Sequence, residues 1–68
     1  MEQNELHEKM ENALMELDFE DREIIILKEF EQMSYKEIAI TLEIPLGTVM
    51  SKLYYARKKL AKKLEGLI

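Results

Sequence analysis

Residues 34–52, SYKEIAITLEIPLGTVMSK, hold the chain's single proline between two runs of apolar residues at helical spacing. The first run begins with Ser34 and has Glu37 three residues later, the S-x-x-E pattern of a capping box that starts a helix. Pro45 ends this helix, because proline disfavours helical backbone in the residue before it, and it fits the first turn of a following helix. The segment therefore predicts two helices joined by a tight corner.

The apolar residues of this segment have the spacing of a helix-turn-helix that begins at Tyr35. Five of them are expected to fill the corner between the helices: Ile38, Ala39, Leu42, Ile44 and Val49. Ala39 is small, as the crossing of two helices requires. Glu43 stands at the turn position that usually takes glycine, and a left-handed backbone there would strain it by roughly 1 kcal/mol.

The rest of the chain also has helical periodicity. Apolar residues recur at i, i+4, i+7, i+8 and i+11 in a first amphipathic segment, namely Leu6, Met10, Ala13, Leu14 and Leu17. Asp18 is expected to cap a second helix that has acidic residues in its first turn. The last helix is expected to bury Val49, Leu53, Ala56, Leu60, Leu64 and Leu67, with its frayed end near Gly66. We predict an all-α fold: one small four-helix domain, residues 1–68, containing a helix-turn-helix, with helices at about 4–17, 19–31, 35–42 and 46–65.

Length and composition exclude several classes of protein. A chain of 68 residues buries a small core, and without cysteine it has neither disulfides nor a cysteine metal site. Its one histidine cannot build a metal site alone, and no apolar run is long enough to span a membrane. No catalytic constellation or phosphate-binding glycine loop is present. We expect a soluble cytoplasmic protein that is not an enzyme and needs no cofactor, metal or small-molecule substrate.

Charge is divided unevenly along the chain, whose net charge is −4. Residues 1–33 carry 11 acidic and 3 basic side chains, and residues 34–68 carry 3 acidic and 7 basic ones, so the halves sum to −8 and +4. Such asymmetry indicates two different partner surfaces.

The outer face of the last helix has the chemistry of a nucleic-acid reader. At 100° per residue, five side chains lie opposite its apolar stripe: Thr48, Ser51, Tyr55, Lys58 and Lys62. Lys52 and Lys59 lie beside them. Short hydroxyl groups suit base edges in a major groove, lysines suit phosphates, and the helix start at Gly47 offers N–H groups to a phosphate. Lys62 and Lys63 are interpreted as complementing the helix dipole. Roughly four to five bases remain usable for DNA binding, and they predict a slope of roughly −4 when the logarithm of the binding constant is plotted against the logarithm of the salt concentration. These bases are Lys36, Lys52, Arg57, Lys58 and Lys59.

The segments DREIIILKEF, SYKEIA and PLGTVMSKLYYARKKL together resemble region 4 of bacterial sigma factors, particularly the extracytoplasmic-function group. The resemblance covers about residues 13–64. It implies a domain that binds the −35 element of double-stranded promoter DNA with its last helix and docks on the β-subunit flap of RNA polymerase. It also implies that an anti-sigma factor can mask the domain. Nothing in the chain resembles region 2, so we expect an excised domain or a stand-alone region-4 protein that cannot initiate transcription alone.

The resemblance also implies which residues contact DNA. Contacts in the recognition helix would be made by Met50, Ser51, Lys52, Tyr54 and Tyr55. Phosphate contacts would lie near Ser34, Tyr35, Thr48 and Arg57. Met50 and Tyr55 depart from the family pattern, because relatives often carry a basic residue there, so the preferred DNA sequence is expected to differ.

Two alternatives remain at this point. The output domain of LuxR-type regulators shares the EIA…L.I…TV core, although MSKLYYARKKL continues in the sigma manner. The other is a protein-interaction module with little DNA binding, suggested by Ile25. On a helical wheel Ile25 lies roughly 150° from the face centred on Ile26, Leu27 and Phe30. It therefore either packs under the first helix or is exposed to a partner such as the flap or an anti-sigma factor.

Overall fold

A computed structural model of the chain describes the backbone of residues 2–67 and the side chains of residues 5–66. It contains α1 (Glu2–Met15), α2 (Phe19–Ile25), α3 (Tyr35–Leu42) and α4 (Leu46–Leu67), and α2 continues into a π-helical turn, Ile26–Phe30. No strand occurs within residues 2–67. The predicted all-α fold with four helices and a helix-turn-helix is confirmed. The predicted burial of Leu67 lies outside the described side chains.

The long helix α4 is the centre of the fold, and α1, α2 and α3 all pack against it. Its buried side chains, Val49, Leu53 and Ala56, follow helical spacing along one stripe. The other helices and the turn between α1 and α2 add buried apolar side chains to the same cluster: Leu14, Leu17, Ile24, Ile25 and Ile38. One apolar stripe of α4 therefore holds the other helices together.

The corner between α3 and α4 is closed by main-chain hydrogen bonds. The Ile44 N–H donates to the Ala39 carbonyl at 3.0 Å, and the Glu43 N–H donates to the Ile40 carbonyl at 3.3 Å. Glu43 is left-handed, with φ 56° and ψ 47°. This is a Schellman motif, which normally has glycine at the left-handed position. Pro45 follows, and its carbonyl accepts the first bonds of α4 from Thr48 and Val49.

Both predicted helix starts in the middle of the chain are found, with one difference. At α3 the capping box is complete: the Glu37 N–H donates to Ser34 Oγ at 3.0 Å, and the Ser34 N–H donates to Glu37 Oε1 at 2.7 Å. Asp18 is the N-cap of α2, and its carbonyl accepts from the Arg22 N–H at 3.0 Å. Its side chain makes no capping hydrogen bond. The Asp18 carboxylate therefore acts on α2 through the helix dipole alone.

The π-helical turn corrects the interpretation of Ile25. The Glu31 N–H donates to the Ile26 carbonyl at 2.9 Å, an i→i+5 bond that widens the helix. The helical wheel assumes 100° per residue, and a π-helical turn rotates less than that. The wheel therefore misplaces the side chains that follow Ile25. Ile24 and Ile25 form the buried face, at 1% and 2% exposure, whereas Phe30 is exposed. The prediction of Ile25 as a partner-binding residue is therefore wrong, and Ile25 belongs to the core.

The first helix contributes less to the core than its periodicity predicts. Ala13, Leu14 and Leu17 are buried and Met10 is partly buried, but Leu6 is 69% exposed. The packed part of α1 is thus its C-terminal half. Among the described residues, no helix combines the length and apolar character needed to cross a bilayer.

The left-handed residue at the corner gives a stability prediction. Glu43→Gly should leave the domain unchanged or stabilise it by up to about 1 kcal/mol, because glycine adopts positive φ without a Cβ clash. Urea unfolding would measure the difference. Ala61→Gly, at an exposed position within α4, is the control and should cost about 1 kcal/mol. Equal destabilisation by the two changes would contradict the role of the left-handed turn.

Candidate nucleic-acid interface

The face of α4 opposite its buried stripe carries four exposed polar side chains in a line. Ser51, Tyr55, Lys58 and Lys62 are spaced at i, i+4, i+7 and i+11, and all are exposed. Because the stripe of Val49, Leu53 and Ala56 fixes the rotation of α4, this line must point away from the protein. We call these four residues the outer face. Thr48, predicted with them, is half-buried at the corner.

Aromatic side chains stand next to the outer face. The rings of Tyr54 and Tyr55 lie at 82° to each other with centroids 5.1 Å apart, and both residues are more than half exposed. Lys58 Nζ lies 5.4 Å from the Tyr54 ring centroid, which is within cation–π range. Met50 is 47% exposed. The structure therefore brings the predicted contacts Met50, Ser51, Tyr54, Tyr55 and Lys58 onto one accessible side of α4.

Three other predicted DNA-contacting bases are held by carboxylates of the same chain. Lys52 Nζ lies 3.0 Å from Glu20 Oε1, and Lys59 Nζ lies 2.9 Å from Asp21 Oδ2. On the opposite flank the Arg57 guanidinium donates to Glu29 Oε1 at 2.5 Å. Lys63 Nζ lies 3.7 Å from a fourth carboxylate, that of Glu16. The acidic and basic halves of the chain therefore meet within the molecule, and part of their charge is neutralised there.

The ion pairs also alter proton affinities. The Asp21 carboxylate raises the pKa of Lys59, and the Glu29 carboxylate raises the pKa of Arg57 by accepting its hydrogen bond. The Tyr35 hydroxyl contributes in the same direction to Arg57, so these two predicted phosphate contacts lie close together. Both bases stay fully charged at neutral pH.

The start of α3 presents the remaining predicted contacts. Tyr35 is half-buried against the core, and Lys28 Nζ lies 4.7 Å from its ring centroid. Lys36 is exposed. The Ser34 hydroxyl accepts from the Glu37 N–H and donates its own hydrogen to the Glu37 carboxylate. Lys36 can therefore reach a phosphate without any change in the fold, whereas the N–H and hydroxyl of Ser34 are both engaged in the capping box.

The carboxylates that pair with α4 were not predicted from the sequence. Glu16, Glu20, Asp21 and Glu29 lie 28 to 47 positions before their partners, and only the tertiary fold brings them together. One sequence signal was available: Lys52, Lys59 and Lys63 recur at i, i+7 and i+11 beside the buried stripe. That position is where a helix borders its neighbours, so carboxylates from another helix can reach it.

Comparison with known proteins identifies the family. The family model described as "Sigma-70, region 4" matches residues 7–60, which include the helix-turn-helix and most of α4. The chain belongs to the sigma-70 region 4 family.

Curated sigma factors are similar to the chain over a part of their length. The RNA polymerase sigma-H factor of Pseudomonas aeruginosa is 32% identical over 68 residues, which is 100% of this chain and 35% of that protein. The ECF RNA polymerase sigma-E factor of Escherichia coli K12 is 40% identical over 47 residues, 69% of this chain and 25% of that protein. The corresponding sigma-E factor of Shigella flexneri gives the same values. The chain thus spans about a quarter to a third of these relatives, and the sigma region 4 resemblance is confirmed.

The capping box gives a pH prediction. Hydrogen bonds from the Ser34 N–H and then its hydroxyl lower the pKa of Glu37 below its ordinary value of 4.5. A lowered folded-state pKa adds stability that is complete above that ordinary value and is lost as pH falls through the lowered one. Glu37→Gln keeps a side-chain acceptor for the cap but cannot titrate. Thermal midpoints should therefore fall less steeply for Glu37→Gln than for the wild type below about pH 4.5. Glu65→Gln, an exposed change outside the cap, should keep the wild-type slope, and a Glu37→Gln curve parallel to the wild type would contradict this assignment.

Proposed function

We propose that this chain is the region-4 module of a sigma factor, a single domain that reads the −35 element of double-stranded promoter DNA. The observation that carries the proposal is the outer face of α4. A corner that fixes the helix direction presents hydroxyl and aromatic groups first and lysines after them. Membership of the sigma-70 region 4 family supports this function and gives the LuxR-type alternative no further basis. The family is one of DNA-binding transcription-factor domains rather than enzymes.

The length of each side chain on the outer face determines whether it can contact a base edge or a phosphate. Ser51 lies near the start of α4 and is short enough to hydrogen-bond a base edge only when the helix is deep in the major groove. Tyr55, one turn later, sets that depth and can contact bases or sugars. Lys58 is longer and lies where the helix leaves the groove, so it suits a phosphate, as does Lys36 on α3. We propose that Ser51 and Tyr55 specify sequence and that the lysines position the domain.

Binding by the purified chain would test this division. A duplex selected by the chain from a randomised pool would be compared with its scrambled counterpart by fluorescence anisotropy. Ser51→Ala and Tyr55→Ala should each lower the selected-to-scrambled ratio by roughly fivefold, as expected for losing about 1 kcal/mol of base discrimination. Lys58→Ala should weaken both duplexes alike and flatten the salt slope by about 0.9. An unchanged ratio for both Ser51→Ala and Tyr55→Ala would show that α4 is not the reader and would favour the interaction-module alternative.

We also propose that the module docks on the β-subunit flap of RNA polymerase in the cytoplasm and that an anti-sigma factor competes for this docking. Exposed apolar side chains away from the outer face support the proposal. Phe30 at the end of the π-helical turn is 53% exposed, and Ile40 on α3 is 77% exposed. Apolar side chains so exposed are available to a partner without unfolding any part of the domain.

The affinity of variants for the isolated flap domain would test whether Phe30 and Ile40 take part in docking. Phe30→Ala and Ile40→Ala should weaken flap binding, measured by calorimetry, while leaving duplex affinity unchanged. Leu6→Ala is the matched control, because Leu6 is 69% exposed on the first half of α1. Equal flap affinity for wild type, Phe30→Ala and Ile40→Ala would contradict docking through these two side chains.

A further inference from the structure

The ion pairs of α4 follow a pattern that separates its basic residues into two groups. Lys52, Lys59 and Lys63 lie on one line of the helix, and each contacts a carboxylate of α1, α2 or the turn between them. Arg57 contacts Glu29 on the other flank. The buried stripe of α4 is therefore bordered on both sides by bases that already have an anionic partner.

The second group has no such partner in the part of the chain that the structure describes. Lys36 is exposed on α3, and Lys58 and Lys62 are exposed on the outer face of α4. For α4 the geometry explains the division, because the paired carboxylates of the α1–α2 turn, α2 and the π-helical turn lie beside its flanks and not on the side opposite the core. Lys62, interpreted from the sequence as a dipole-complementing residue, thus lies on the same line as Ser51, Tyr55 and Lys58.

We propose that Glu20, Asp21 and Glu29 occupy the flanking bases of α4 in place of DNA phosphates and so lower the affinity of the domain for any duplex. In this arrangement the phosphate contacts are made by Lys36, Lys58 and Lys62. The ion pairs within the chain keep three other bases from phosphates, namely Lys52, Arg57 and Lys59. The inference rests on the proposed DNA-binding function. It changes the residues to which phosphate binding is assigned. It also adds an intramolecular inhibition of DNA binding by these carboxylates, which we call the brake.

Counterion exchange explains why such pairs act as a brake. A lysine that neutralises a phosphate releases a cation from DNA, and this release drives binding at low salt. If Lys59 must first leave Asp21, the liberated carboxylate takes up a cation again, and the net release for that contact is close to zero. Breaking the ion pair also costs free energy, although the amount is small for an exposed pair. The wild-type salt slope should therefore be about −3, set by three bases without an ion-pair partner among the described residues, rather than the roughly −4 expected from four to five usable bases.

The asymmetry of exposure at Asp21 makes it the most informative position. The side chain of Asp21 is 17% exposed, whereas that of Lys59 is 55% exposed. The carboxylate is thus held by its surroundings, and the lysine is the mobile member that can leave for a phosphate. Removing the charge of Asp21 without changing its shape isolates this exchange.

Neutralised variants would test the brake in the same anisotropy assay at low salt. Asp21→Asn, Glu20→Gln and Glu29→Gln should each raise affinity for selected and scrambled duplexes by about two- to fivefold, and each should steepen the salt slope by about 0.9. The selected-to-scrambled ratio should stay constant, because base contacts are untouched. In a Lys59→Gln background, Asp21→Asn should have no effect beyond that of the control.

Glu8→Gln is the control, because it removes the same unit of charge from an exposed glutamate that has no ion-pair partner among the described residues. Unfolding midpoints would verify that every variant is folded.

If Glu8→Gln raises affinity as much as Asp21→Asn does, only net charge matters and the brake is refuted. Wild-type binding with the expected sequence preference, but unchanged by all three neutralisations, would overturn the brake and leave the proposed function standing. A wild type with no sequence preference whose neutralised variants bind more tightly than Glu8→Gln would support the brake and overturn promoter reading. Absence of duplex binding in every variant would overturn both.

Discussion

Packing along the buried stripe of α4 is the interaction on which the rest of the structure depends. Val49, Leu53 and Ala56 are each at most 1% exposed, and α1, α2 and α3 all contact this helix. Burial of a valine or leucine side chain contributes about 1.5–3 kcal/mol, which is a large share of the stability of a domain this small. The rotation of α4 is therefore fixed by the core. Because the outer face lies opposite, the same packing that folds the domain also aims the side chains proposed to read DNA.

The ion pairs at the borders of the stripe have a different role. Exposed pairs contribute about 0–1 kcal/mol each, and three of the four lysine or arginine partners here are at least 43% exposed in their side chains. They add little to stability compared with the stripe. Their consequence is electrostatic, because they neutralise the flanks of α4 and leave positive charge concentrated along one line. A narrow line of charge favours one orientation of the helix on a duplex, whereas a helix charged all round would accept many.

The corner and the last helix could be predicted from the sequence because their signals are local. A capping box and a proline flank α3, whose eight residues begin at Tyr35 and end at Leu42, as these signals predict. The π-helical turn could not be predicted in this way, since its i→i+5 bond depends on how α2 meets the core and not on the residues of the turn. The helical wheel consequently placed the exposed Phe30 on the core face and left open whether Ile25 is buried or exposed. Leu6 has perfect spacing but no neighbour to cover it, and the carboxylate partners of α4 depend on tertiary contacts that no periodicity encodes.

Low intrinsic affinity is consistent with how a domain of this kind would be used. A genome offers a vast excess of non-specific sites, so affinity gained through phosphates alone would distribute the protein over all of them. A chain with net charge −4, and with three bases near the outer face that have no ion-pair partner within residues 5–66, would gain little from that source. Binding at a promoter would then depend on docking to the polymerase, which raises the effective concentration of the outer face beside its target. In that arrangement the carboxylates of Glu20, Asp21 and Glu29 would keep phosphate attraction weak, and the base contacts proposed for Ser51 and Tyr55 would decide where the domain stays.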